Sequence, residues 1–238
     1  MNKSIIIISA EHAGNHVPAK FGGLFKGHEE VLQSHRGWDP GSMEVAKFMS
    51  DNLGSKIFIQ KLSRLIIEMN RSLHNGQLFS EFTKGLSNEE KQALISEYYT
   101  PYRDQVENDI ADQIKNGNTV VHLSIHSFTP VFEGIKRKVD VGLLCDASVI
   151  DELQFCYVYK TTLQSQLEQM TININDPYDG AADGFTTYLR TKFSSNDYLG
   201  IEIEINQKFL NTSEQKNITE ALTNSIQKII GKKATSAI

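Results

Sequence analysis

One stretch near the middle of the chain, residues 119–130, constrains the fold more than any other. It reads TVVHLSIHSFTP, with β-branched and apolar residues in its first half and a proline at its end, which is the pattern of a buried strand. Near the end of this strand lies His126, a side chain that can bind a transition metal or carry a proton near neutral pH. Ligands of open α/β sheets bind beyond the carboxyl ends of the strands. We therefore expect His126 to lie at a functional edge of the sheet.

The first strand of the chain carries a histidine in the same kind of position. Ser4–Ala10 is a continuous run of mostly β-branched residues, typical of a buried parallel strand, and the loop after it begins with Glu11 and His12. Farther along, apolar strand-like segments alternate with helical patterns. This alternation predicts an α/β fold of three layers with a mixed, largely parallel central sheet. The length of 238 residues fits one domain that spans residues 1–238.

The composition excludes several classes of protein. Apolar residues make up 39% and charged residues 22% of the chain, as in ordinary soluble globular proteins. The net charge is −5 and the longest basic run is residues 136–138, so no nucleic-acid partner is expected. The apolar run at residues 5–8 is too short for a signal peptide or a membrane span, which predicts a cytoplasmic protein. Cys145 and Cys156 have apolar neighbours and no CxxC spacing, and we interpret both as buried structural residues.

Two carboxylates lie in the last predicted strand, residues 199–205. Glu202 and Glu204 share one face of this strand because side chains alternate, and isoleucines occupy the other face. Burial of two carboxylates is costly unless they contact a cation or a metal-bound water, so the pair indicates a site. The alternative is an edge strand with one face in water, since such strands show the same alternation.

The strand-end histidines suggest a metal centre. A catalytic zinc needs about three protein ligands and one open position, which His12, His126 and one carboxylate would satisfy. His122 lies four residues before His126 on the same face of the strand but deeper. We interpret His122 as a hydrogen-bonded core residue instead of a ligand.

Two arginines flank an apolar segment, residues 65–69, that we predict to be a strand. Arg64 precedes the segment, and Arg71 follows it directly after Asn70. Guanidinium groups bind carboxylates in a bidentate manner, which suits a small acidic substrate. The alternative is that each arginine takes part in an ordinary surface ion pair.

Seven segments of the chain, taken in order, resemble the N-formylglutamate amidohydrolase family. They are SAEHAGNHVP, HRGWDPGS, SRLIIEMNRS, YYTPYR, LSIHSFTP, NDPYDGAADG and LGIEIEINQ, within residues 9–207. That family is similar to the zinc carboxypeptidases, aspartoacylase and succinylglutamate desuccinylase. The resemblance implies a zinc-carboxypeptidase-like (phosphorylase/hydrolase-like) fold and a catalytic zinc ion.

Carried onto this sequence, the resemblance implies that His12 and His126 bind the zinc ion. The wider group has a glutamate ligand three residues after the first histidine, but Asn15 stands there, and asparagine is a poor zinc ligand. The third ligand is then Asp39 of the HRGWDPG segment, with Glu11 as the second choice. Asp39 also lies just ahead of a predicted helix, where an acidic side chain would stabilise the helix N-terminus without any metal.

The resemblance also implies the general base and the groups that hold the substrate. The base is one of the two carboxylates of the last strand, and we favour Glu204 over Glu202 because the Ile-Asn after it resembles the pattern of the wider group. The expected substrate contacts are an asparagine and four arginines: Asn70, Arg71, Arg64, Arg137 and Arg190.

Together these features predict a zinc-dependent amidohydrolase whose partner is a small N-acylated acidic amino acid, with N-formyl-L-glutamate the first substrate to test. Within the same class, the alternative is a related deacylase or a small carboxypeptidase that prefers another acyl group. A non-catalytic binding homologue is a further alternative, but it predicts the loss of at least one metal or base position, and all of these positions are occupied.

Overall fold

The computed structural model describes residues 3–235 of the chain, and the side chains of residues 3–231. Its central feature is a six-stranded sheet in the order β2-β1-β3-β8-β6-β7. The strands of this sheet are β1 (Ser4–Ala10), β2 (Lys56–Ile59), β3 (Thr119–Phe128), β6 (Val141–Leu144), β7 (Ile172–Ile174) and β8 (Tyr198–Asn206). A separate antiparallel hairpin follows β3 and consists of β4 (Val131–Phe132) and β5 (Ile135–Lys136).

The predicted mixed, largely parallel sheet is confirmed. Strands β2, β1, β3 and β8 run parallel to one another, β6 is antiparallel to β8, and β7 is parallel to β6. Because β8 lies between β3 and β6, the edge-strand interpretation of Glu202 and Glu204 is wrong. The register of β3 and β8 sets Ser124 beside Glu202 and His126 beside Glu204.

Helices cover both faces of the sheet. They are α1 (Glu29–Gln33), α2 (Ser42–Leu53), α3 (Asn88–Leu94), α4 (Thr100–Lys115), α5 (Ile150–Gln164), α6 (Phe185–Arg190) and α7 (Ser213–Thr235). Two 3-10 helices, Ala19–Phe25 and Gln207–Phe209, and a π-helical turn, Ile95–Tyr99, complete the set. Ser87 and Glu90 form a capping box at the start of α3. Within residues 3–235, no helix is both long and apolar enough to cross a membrane.

Two hydrophobic clusters lie on opposite faces of the sheet. Ile6 and Ile8 of β1 pack with α2, α5 and α7, whereas Ile7 packs with α4, α6 and the segment between β2 and α3. The two faces differ at their carboxyl ends. Isoleucine, leucine and valine continue along the first face, but the face beneath α4 and α6 becomes polar along β1, β3 and β8. Cys145 and Cys156 are both buried and free, as predicted.

The strand predicted for residues 65–69 is wrong. This segment forms turns, in which the backbone N–H of Ile66 donates to Ser63 and that of Glu68 donates to Leu78. Ile66 and Ile67 are nevertheless fully buried. A short apolar run is compatible with any buried backbone, so its composition does not distinguish a turn from a strand.

His122 is a core residue with both ring nitrogens paired, which confirms its interpretation. Its Nε2 lies 2.7 Å from Ser9 Oγ and its Nδ1 lies 2.9 Å from the hydroxyl of Tyr198. Burial lowers the pKa of His122 from 6.5 to about 4, because the charged ring would lose its hydration.

We expect this buried histidine to make folding less favourable as the pH falls from 6.5 towards 4. Over that range the unfolded chain binds a proton at His122 and the folded chain does not, so the free energy of unfolding decreases by up to about 1.4 kcal/mol per pH unit. His122→Gln removes the titration, and its free energy of unfolding should fall less steeply. Urea unfolding of both proteins between pH 7 and pH 4.5 measures the two slopes, and equal slopes would contradict the expectation.

Candidate active site

The parallel pairing of β1 and β3 brings two histidines together at the carboxyl ends of these strands. His12 follows β1, His126 lies near the end of β3, and their ring centroids are 5.1 Å apart. Both side chains are buried. Asp39 reaches the same place from the turn before α2, where its backbone N–H donates to the carbonyl of His12 at 2.9 Å. Gly41 follows with a φ of 83°, a conformation that favours glycine.

Three potential ligand atoms converge between these side chains. Asp39 Oδ2 lies 2.8 Å from Nδ1 of His126 and 3.3 Å from Nδ1 of His12. Among the residues whose side chains are described, these three form the one group of histidine, cysteine and carboxylate ligands with all ligand atoms within 4.8 Å of one another. All three residues are buried.

A glutamate that our sequence analysis missed determines which nitrogen of His12 carries hydrogen. His12 Nε2 contacts Glu68 Oε1, which also accepts the backbone N–H of Asn70 at 2.9 Å. Burial alone would raise the pKa of Glu68, but the charges of Arg64 and His12 hold it well below its usual value. An ionised carboxylate only accepts hydrogen bonds, so Nε2 of His12 is protonated. In the neutral ring, Nδ1 then presents a lone pair towards Asp39.

His126 is held in the same tautomer by a relay of hydrogen bonds. Ser124 Oγ donates its single hydrogen to Glu11 and lies 2.8 Å from Nε2 of His126, so the serine oxygen accepts from that nitrogen. Glu11 is fully buried and accepts a further hydrogen bond from Tyr102 at 3.0 Å. Burial opposes ionisation of Glu11, but its contacts with His126 lower its pKa below the usual range. Glu11 Oε2 also lies 3.2 Å from Nε2 of His126, so Glu11 contacts the far side of this ring, outside the group of three converging atoms.

The convergence fits a metal ion. Two Nδ1 lone pairs and a carboxylate oxygen are all acceptors, and acceptors this close require a proton or a cation between them. Burial would lower the pKa of His126, but its hydrogen bonds with Asp39 and Glu11 and their charges raise it well above the usual value. Two imidazole nitrogens and one carboxylate oxygen are a ligand set of catalytic zinc sites and of other divalent transition metals. Each ring also has the outer hydrogen bond typical of ligating histidines.

Asn15 points away from this cluster. Its side-chain amide donates to the carbonyl of Leu32 at 3.0 Å and to Gln33 Oε1 at 3.1 Å, which ties the loop after β1 to α1. The position that carries glutamate in the wider group therefore contributes no side chain to the cluster.

Of the two carboxylates on β8, Glu204 is the one with a buried oxygen that lacks a hydrogen-bond partner. It is 6% exposed, and its Oε2 has no hydrogen-bond partner among the described residues. Burial raises the pKa of Glu204 to about 8, with further increases from Asp39 and Glu202 and opposing effects of His126 and Arg64. Glu202 is less buried and accepts a hydrogen bond from Thr186 Oγ1 at 2.7 Å.

Arg64 and Arg71 approach the cluster from the turns after β2. Arg64 donates to Asp39 Oδ1 at 3.1 Å and to Glu68 Oε2 at 2.8 Å, and thereby bridges a candidate ligand and a carboxylate behind the cluster. Arg71 donates through Nη1 to the carbonyls of Asn70, at 2.7 Å, and Asp183, at 3.0 Å. Within the described part of the chain, these hydrogen bonds leave its other guanidinium nitrogens available.

Arg137 lies at the hairpin after β3. Its guanidinium is 4.8 Å from the ring centroids of both Phe132 and Tyr178, and Nη1 donates to the Tyr178 hydroxyl at 2.9 Å. Burial and the charge of Glu204 raise the pKa of Tyr178, whereas its hydrogen bond with Arg137 lowers it.

Arg190 makes its contacts away from the cluster of His12, Asp39 and His126. It forms an ion pair with the fully buried Glu152, at 3.0 and 3.1 Å, and donates to the carbonyls of Gly180 and Gly200. The structure therefore does not bring Arg190 into the cluster. These contacts indicate that it connects α5, α6 and β8.

Three polar residues around the histidines were missed by our sequence reasoning. Ser124 lies two residues before His126 and so shares its face, while Glu68 and Tyr102 belong to the SRLIIEMNRS and YYTPYR segments. The alternation of β3 could have identified the serine. The other two depend on contacts between distant parts of the chain.

Comparisons with known proteins identify the family of this chain. The model of the N-formylglutamate amidohydrolase family matches residues 4–210. The gene product Atu2144 of Agrobacterium tumefaciens is similar in structure, with 28% identity, a TM-score of 0.78, and coverage of 99% of this chain and 92% of that one. N-formylglutamate amidohydrolase from Ralstonia eutropha JMP134 shares the fold, with 16% identity, a TM-score of 0.72, and coverage of 98% and 94%. No curated protein matches the chain by sequence. The chain belongs to the N-formylglutamate amidohydrolase family.

Proposed function

We propose that the protein is a metal-dependent hydrolase that cleaves the amide bond of an N-acylated acidic amino acid. N-formyl-L-glutamate is our first choice of substrate, with formate and L-glutamate as products. Family membership supports an amidohydrolase of this type. The observation that carries the proposal is the convergence of His12, Asp39 and His126 beside the unpaired oxygen of Glu204.

In this proposal, Nδ1 of His12, Nδ1 of His126 and Oδ2 of Asp39 hold one divalent metal ion, for which we favour Zn²⁺. The bound ion would act as a Lewis acid that lowers the pKa of a water molecule and polarises the scissile carbonyl. The chain orients these ligands in advance. Glu68 holds the ring of His12, and Glu11 holds that of His126 through Ser124, so both Nδ1 lone pairs face the same point.

Glu204 is our candidate for the general base. Its unpaired Oε2 would accept a proton from the attacking water and return it to the leaving amine nitrogen. The positive charge of the bound ion would favour the ionised form of Glu204 that this step requires. Glu202 is less suited to this task, because Thr186 already occupies one of its oxygens. We propose that Glu202 contributes negative charge next to Glu204.

Asn70 and Arg71 are our candidates for the contact with a substrate carboxylate. The free nitrogens of Arg71 form a planar donor pair that matches a carboxylate in two parallel hydrogen bonds. Arg64, which donates to Asp39 and Glu68, would add positive charge near this contact. Arg137, fixed by Tyr178, is the candidate for a second carboxylate. A substrate role for Arg190, a single catalytic domain over residues 1–238 and a cytoplasmic location stay predictions.

Metal removal tests the proposed centre. We expect a chelator to abolish formate release from N-formyl-L-glutamate and Zn²⁺ to restore it, with weaker hydrolysis of the N-acetyl and N-succinyl analogues. Asp39→Asn and His126→Ala should bind less than one metal ion per chain, since each loses a ligand atom. Asn15→Ala is the control, because Asn15 faces α1, and it should retain the metal content of the wild type. Full activity in protein shown to be free of metal would exclude the mechanism.

Glutamine variants test which of the two glutamates of β8 is the general base. We expect Glu204→Gln to lower kcat by about 100-fold or more, the usual contribution of a general base, while metal content stays the same. Glu202→Gln should have a much smaller effect, because the amide can still accept from Thr186. Steady-state kinetics and elemental analysis measure both quantities. A larger loss of kcat in Glu202→Gln would reverse the assignment.

A further inference from the structure

A buried arginine lies next to the segment that carries Asn70 and Arg71. Arg103 of α4 is 4% exposed, and among the described residues its contacts are with aromatic rings and backbone carbonyls, without an ion pair to a carboxylate. Burial of a cation without such a partner costs free energy, so we expect this arginine to have a specific role in the structure.

Three aromatic rings surround its guanidinium group. The ring centroids of Phe185, Tyr188 and Tyr99 lie 4.3, 4.5 and 4.9 Å from the central carbon. Each ring is within the range at which a cation is attracted to an aromatic face. The rings come from α6 and from the π-helical turn before α4, so one side chain holds two elements together.

The hydrogen bonds of Arg103 go to the backbone on either side of Asn70. Nη1 donates to the carbonyl of Met69 at 2.9 Å and lies 3.5 Å from that of Arg71. The hydroxyl of Tyr99 donates to this second carbonyl at 2.7 Å. One guanidinium and one phenol thus fix the backbone before and after Asn70.

The side chain of Asn70 depends on the same group of residues. Its Oδ1 accepts the backbone N–H of Phe185 at 2.6 Å, and the ring of Phe185 is the one nearest to the guanidinium of Arg103. A shift of Arg103 would therefore move both the backbone and the side-chain partner of Asn70.

We propose that Arg103 is a positioning residue for the substrate-carboxylate contact and acts through Asn70 and Arg71. The inference rests on the proposed function, because it assumes that these two residues bind the substrate. Binding groups must be held closely in place, since small displacements of a positioned group cost much of its effect. Lysine could not replace Arg103, because an ammonium group lacks the planar surface and the fixed fork of donors.

Arg103→Lys tests this role through the kinetic constants. We expect KM for the best acidic N-acyl amino acid to rise about 10-fold while kcat and metal content stay near those of the wild type. The reason is that displaced Asn70 and Arg71 would bind the substrate carboxylate less well in the ground state and in the transition state alike. Backbone amide hydrogen exchange should become faster at residues 69–72. This second measurement needs no substrate.

A matched pair of tyrosine variants separates positioning from general stability. Tyr99→Phe and Tyr159→Phe each remove one hydroxyl that donates to a backbone carbonyl, but Tyr159 contacts Leu222 on the opposite face of the sheet, at 3.2 Å. We expect KM to rise about fivefold in Tyr99→Phe, as for the loss of one hydrogen bond, and to stay unchanged in Tyr159→Phe. Tyr99→Phe also tests the proposal if Arg103→Lys does not fold.

The outcomes distinguish this inference from the proposed function. If the wild type cleaves no acidic N-acyl amino acid, the proposed function is wrong, and hydrogen exchange at residues 69–72 still decides whether Arg103 holds this segment. If the wild type is active but Arg103→Lys and Tyr99→Phe leave KM and exchange unchanged, the positioning role is wrong. An equal rise of KM in Tyr159→Phe would also overturn it.

Discussion

The contact of Asp39 Oδ2 with two imidazole nitrogens is the constraint on which the rest of the site depends. Asp39 Oδ2 lies within hydrogen-bond range of both Nδ1 atoms, an arrangement of acceptors that is stable only with positive charge between them. The orientation of each ring is fixed by a second carboxylate on its far side. Glu68 contacts His12, and Glu11 contacts His126 through Ser124. The outer carboxylates hold the rings, and the inner oxygen completes the group of three.

Along one face of the sheet, the side chains change from apolar to polar towards this site. Beneath α4 and α6, β3 begins with the buried Val120, continues through His122 and Ser124, and reaches His126 at its carboxyl end. His122 marks the transition, because both of its nitrogens are paired and it needs no water. A fully satisfied polar layer of this kind allows a charged cluster to lie directly above an apolar core without exposing unpaired groups to it.

The sequence predicted those parts of the molecule that follow from local patterns. The strands β1 and β3 were identified from their β-branched and apolar residues, and β8 from its alternation. His12 and His126 were proposed as site residues because they lie at strand ends, and Glu204 because it alternates with isoleucines and because of the family resemblance. Glu68 was missed because it reaches His12 across 56 residues from an irregular turn, and Tyr102 because it reaches Glu11 across 91. Residues 65–69 were mistaken for a strand since burial, and not strand pairing, accounts for their apolar character. Such contacts depend on tertiary packing, which no short-range periodicity records.

In the proposed metal site, Asp39 would supply from a distant segment the carboxylate that position 15 lacks. A hydrogen bond from the backbone N–H of Asp39 to the carbonyl of His12 connects two candidate ligands that are 27 residues apart. This bond restricts the movement of the two residues relative to each other. Asn15 is free for another task and anchors the loop after β1 to Leu32 of α1, the helix before the Asp39 turn. A ligand supplied from the second segment requires that the two segments be held together, and the amide of Asn15 does so at a position where a carboxylate would only accept hydrogen bonds.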